Sequence, residues 1–172
     1  MTALTRSRAF GILALRLVTG WVFLFAGLQK AFAAEPFSAA GFLTFGTAGT
    51  AEGAAEGAIV NPTNPFWVDL ASNVALMDVI NFIVPFGQIA IGAALILGLG
   101  TRFAAMMGFL MMAGFTIAAW DFAHGVINHT ALIGLTSLIL GVIRAGEIYG
   151  IDAIVDEQPI VKRTSALRYV LG

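Results

Sequence analysis

Residues 10–32 form an almost unbroken apolar run, and that run constrains the fold more than any other feature of the chain. About 20 apolar residues in a helix match the ~30 Å hydrocarbon core of a bilayer. Backbone groups in that core find no water to bond, so a segment of this kind is a helix. Three more runs follow, at 78–99, 101–120 and 126–143. Composition agrees, with 59% of residues hydrophobic and 11% charged, where soluble domains carry about 25% charged residues. The pattern predicts an all-α integral membrane protein, a four-transmembrane-helix bundle. The start "MTALTRSRAF" is basic like a signal peptide, but no small-x-small cleavage site follows, so the first run reads as a retained span.

Charge sets the expected orientation. Arg6, Arg8, Arg102, Arg144, Lys162, Arg163 and Arg168 fall on one side of this layout, with Arg16 near them. Lys30 falls on the other, among Glu35, Glu52, Glu56, Asp69, Asp78 and Asp121. The positive-inside rule then predicts both termini cytoplasmic and a long outer loop, 33–77, outside. Residues 1–146 make the expected membrane domain, and 147–172 a cytoplasmic tail whose cations suit an anionic leaflet. Within the loop, Asn64 is placed to cap a helix with Pro65 at its first position. Phe66, Trp67, Leu70, Val74 and Met77 recur at helical spacing after it, which predicts a short amphipathic helix at the interface.

Several chemistries are excluded early. A net charge of −1 gives no footprint for nucleic acid. With no cysteine, the chain has no disulfide, no thiolate-held iron–sulfur cluster and no dithiol relay. Asp121, His124 and His129 match no standard ligand spacing, so no metal site is expected.

What remains are polar groups that are costly to bury in hydrocarbon. Arg16 and Lys30 bracket the first run and sit ~21 Å apart along a helix. They are either anchors at opposite headgroup layers or cations that face inward. Arg16, Phe23, Gly27 and Lys30 share one helical face, with Gly20 beside it, and such glycines let a neighbouring helix approach. That face is expected to point into the bundle. In the second run Asp78, Asn81 and Gln88 fall on one side around Pro85. Gln88 suits an interhelical hydrogen bond, or the three form a polar column able to bind a quinone carbonyl or relay protons. Trp120 marks an interface, and Asp121 and His124 follow it three residues apart. A carboxylate beside an imidazole orients it for proton transfer, whereas solvated loop polarity is the plainer alternative.

Three stretches carry a resemblance to a known family. "LRLVTGWVFLFAGLQKAF", "GQIAIGAALILGLGTRFAAMMGFLMM" and "YGIDAIVDE" resemble the first span, the second-to-third hairpin and the short "GxD" segment of DoxX/DoxD proteins. The loop with "NPTNPFW" is similar to the DoxD branch, and Gln88 stands where many relatives carry glutamate. The resemblance implies a prokaryotic cell-membrane subunit of a quinone-linked oxidoreductase, and its DoxD branch points to the thiosulfate:quinone type. It also implies a partner redox subunit, because this chain holds no evident electron carrier.

Three function classes follow. In the first, a quinone binds in the outer half of the bundle. His124, Asp121 and Lys30 would be its catalytic groups, and Asn81, Gln88, Asp78, Trp120 and Arg16 would line it. In the second, the bundle is a non-catalytic membrane subunit that stabilises a larger redox or respiratory complex, with a homo-oligomer as a variant. In the third it is a small-molecule or lipid carrier, for which four spans without an inverted repeat offer little machinery. Thiosulfate itself fits poorly, since a dianion needs a positive outer site and carboxylates outnumber cations there.

Overall fold

The computed structural model describes residues 3–48, 61–120 and 127–155, and within these every regular element is a helix. In chain order the α-helices are α1 (Ala3–Ala31), α2 (Ala40–Thr44), α3 (Asn64–Ser72), α4 (Val74–Leu97), α5 (Thr101–Ala118), α6 (His129–Val142) and α7 (Asp152–Val155). Helices α1, α4 and α5 are long and apolar enough to cross a membrane. Helix α6 has 14 residues, or ~21 Å, and is shorter than the hydrocarbon core by itself.

The four expected runs reappear with shifted ends. Helix α1 begins well before residue 10, and α4 begins at Val74 rather than 78, because Asn73 accepts a hydrogen bond from Leu76 N and caps it there. Helix α6 starts at His129 rather than 126, because the Asn128 side chain accepts from Ala131 N. Gly98, at φ +67°, closes α4 in the left-handed conformation that glycine adopts without strain.

Consecutive long helices are antiparallel, and they associate as two close pairs, α1 with α4 and α5 with α6. Glycine makes the first pair possible. A Cβ at Gly27 would lie 2.7 Å from Pro85 O, and one at Gly92 would lie 2.6 Å from Gly20 O and collide with Leu24 N. The backbones therefore touch, as in other membrane helix crossings built on small residues. Between the pairs lies a core of Phe23, Ile91, Leu95, Ala104, Ala105 and Met112.

Each end of the bundle is held by a polar knot. At the arginine end, Arg16 is 1% exposed and turned inward. Its Nη1 donates to Ala145 O (2.6 Å) and Ile148 O (3.0 Å), and its Nη2 to Tyr149 O (3.3 Å). Beside it, fully buried Asp152 accepts from Gly100 N (2.7 Å) and Thr101 N (2.9 Å), and so caps α5 from 51 and 52 residues away. Glycines 98, 146 and 150 leave the room for this, since a Cβ at Gly98 or Gly150 would sit 2.8 Å from Arg16 Nη1 and one at Gly146 would strike Asp152. The start of the expected surface tail is thus packed into the bundle.

At the Lys30 end, "NPTNPFW" ties the loop down. Buried Asn61 donates to Ala118 O (2.7 Å) and accepts from Thr63 N and Thr63 Oγ1, while Trp67 Nε1 donates to Thr63 Oγ1. Thr63 rather than Asn64 is the N-cap of α3. Asn64 is buried and donates instead to Thr47 Oγ1 (2.8 Å), so its side chain is not available to the helix start. Asn81 Oδ1 accepts from Ala39 N (2.8 Å) and fixes α2 against α4.

Two stability outcomes follow from these contacts. Gly92→Ala is expected to lower the unfolding free energy by about 1–3 kcal/mol through overpacking, measured by thermal unfolding in detergent. Gly11→Ala, which meets no atom within 4 Å, serves as the control and should not lose stability. Asp152→Ala leaves two amide donors of the α5 start without their carboxylate, at a cost of about 2–3 kcal/mol. Asp152→Asn, which keeps one acceptor oxygen, should recover part of that loss in the same assay.

Candidate functional site

Because α4 and α5 meet less closely than the helices within each pair, a groove of about 1020 Å³ opens between them. One wall is an α4 stripe, Ile80, Ile83, Val84, Gly87, Ile91 and Ala94, which recurs at intervals of three and four. The other is an α5 stripe through Phe103, Met107, Met111, Gly114 and Ala118. From Ile80 to Ala94 the groove runs ~21 Å along the helix axis. It is apolar over that distance, and Ile83, Phe103 and Leu110 are half exposed on its flank. In a bilayer this open apolar flank faces lipid hydrocarbon.

Phe37, just before α2, with Leu43 of α2 and Trp67 and Leu70 of α3, roofs one end. The polar groups of the groove collect under that roof. Lys30, His129 and Thr130 all line the mouth. Lys30 Nζ donates to Ala26 O (3.1 Å), and lies 5.9 Å from the Phe37 ring centroid, within cation–π range. An ammonium has three donors, so among the described residues two remain for a ligand oxygen. Thr130 Oγ1 donates to Asn128 Oδ1 (2.6 Å) and lies 2.9 Å from Thr116 Oγ1, which holds the first turn of α6 against α5. His129, on that turn, is exposed.

The polar residues singled out in the sequence are not gathered into one pocket among the described residues. Lys30 lines the groove. Asn81 is spent on the α2 backbone, and Asp78 is exposed on α4. Gln88 is 3% exposed, on the α4 face whose neighbours Pro85 and Gly92 meet α1. Its Oε1 has no hydrogen-bond partner among the described residues. Trp120 is partly buried beyond the end of α5. Arg16 belongs to the knot at the opposite end, where its guanidinium holds backbone carbonyls. Asp121 and His124 lie outside the described residues.

His129 is the site residue that spacing undervalued. The signal was present in "INHTA", because an asparagine followed by a helical run is a cap, and a cap puts the next residue in the first turn. Among the described residues no group of three or more histidine or acidic side chains is placed to hold a metal ion. What the mouth can do is give hydrogen bonds and positive charge to an acceptor oxygen whose hydrocarbon part lies in the groove.

No curated protein and no solved structure matches the chain. A family model described as DoxX matches residues 11–125, from the first turns of α1 to just past the end of α5. The match contains both walls of the groove and Lys30, and by it the chain belongs to the DoxX family.

Proposed function

We propose that this protein is a membrane subunit of a quinone-linked oxidoreductase and that the quinone ring sits at the mouth of the α4–α5 groove. The observation that carries this reading is an apolar groove running ~21 Å along α4 to Lys30, whose ammonium makes one hydrogen bond among the described residues. A quinone is neutral and partitions into lipid, so it can reach such a site from the membrane. Its reduction adds two electrons and two protons and turns two carbonyl oxygens into hydroxyls. Negative charge builds on an oxygen as electrons arrive, and Lys30 is placed to stabilise it. His129 is exposed at the same mouth and can pass a proton between water and the ring.

Electrons come from a partner subunit in this proposal, because the chain has no cysteine and no cluster-binding motif. If thiosulfate is the donor, its oxidation belongs to that partner, which would supply the positive site a dianion needs. A lipid-carrier role is the second reading. It is favoured by the reach of the groove to Leu99 and Gly100, at the arginine end of α5.

Membranes containing the protein and its redox partner should reduce added quinone faster than membranes without it, and quinone should co-elute with the purified protein. Lys30→Gln should lower quinone turnover by roughly tenfold or more while leaving the melting temperature unchanged. Retained turnover in Lys30→Gln removes the lysine from the mechanism. Bound quinone without turnover under any donor favours the carrier.

A further inference from the structure

We infer that the groove takes the quinone's long hydrocarbon tail, that the tail enters sideways between α4 and α5, and that Gly114 determines whether it fits. The inference rests on the quinone reading above and assigns a residue and a direction of access to that same site.

Gly114 stands apart from most glycines of the long helices. Those at 108, 134 and 141 have packing reasons, since a Cβ at each would come within 3.1 Å of Phe23, Met112 or Ala105. At Gly114 a Cβ would meet nothing within 4 Å. Gly11 shares that freedom, but it is exposed near the start of α1, whereas Gly114 lines the groove. Glycine in a helix interior forms helix less readily than alanine and needs a compensating reason. No neighbouring atom supplies one here. The open volume of the groove does.

Position strengthens the argument. Gly114 is one turn from Ala118 and two residues before Thr116, which contacts Thr130 at the mouth. It therefore lies where the ring site passes into the tail groove. The α4 wall carries a glycine of its own, Gly87, where a Cβ would lie 3.0 Å from the Met111 Cε, the movable end of a flexible side chain. At this end α2 and α3 line the groove, while the flank, with Leu110 half exposed, is open to lipid.

The test compares two probes, a decyl-tailed benzoquinone and the same ring carrying a methyl group in place of the tail. Each is titrated into the protein in nanodiscs, and bound quinone is measured by mass spectrometry. Gly114→Leu is expected to weaken the tailed quinone at least tenfold and to change the tail-less ring less than twofold, with no loss of thermal stability. Gly114→Ala, the smaller change, should weaken the tailed probe by a smaller factor. Equal binding of the tailed quinone by parent and Gly114→Leu overturns this inference and leaves the quinone reading standing. Loss of both probes in Gly114→Leu also overturns it, because the position then belongs to the ring site. Failure of the parent protein to bind either probe sinks the quinone reading and this inference with it.

Discussion

A guanidinium that is 1% exposed inside an apolar helix must have acceptors, and the search for them organises the arginine end of this molecule. Three carbonyls from the segment after α6 converge on Arg16, and Asp152 from the same segment closes the start of α5. Arg16 and Asp152 also attract each other as opposite charges. One buried cation thus links α1, the α4–α5 turn and the end of α6. The glycines around it leave space for its planar head, which makes it part of the frame rather than of a ligand site.

That frame explains why a groove can exist at all. The α4–α5 hairpin is fixed at its turn by Asp152, while its open end is set by the α2–α3 roof through Asn61 on Ala118 and Asn81 on Ala39. Each of the two helices is committed to another partner along its length, α4 to α1 through backbone contact and α5 to α6. With their close-packing faces already occupied, α4 and α5 meet less closely, and the apolar groove lies between them.

Much of this was legible in the sequence. The apolar runs located the helices, and the shared face of Arg16, Phe23 and Gly27 correctly pointed inward, because both signals are periodic and local. The caps at Asn73 and Asn128 moved helix starts by a few residues. The destinations of Asn81 and Asp152 were not legible, since a side chain bonded to a backbone amide 42 or 52 residues away leaves no spacing to read. The groove was illegible for a related reason. Its walls use the same apolar alphabet as a packed interface, and only the divergence of two helices distinguishes a space from a core.

The arginine knot also bears on how the chain is made. The carbonyls that hold Arg16 lie 129 to 133 residues further along, so the guanidinium leaves the ribosome long before its acceptors exist. Until α6 has followed, the lowest-energy place for it is the headgroup layer at its own end of the helix. Completion of the bundle therefore draws an arginine from that layer inward and makes the segment after α6 the fastening of α1.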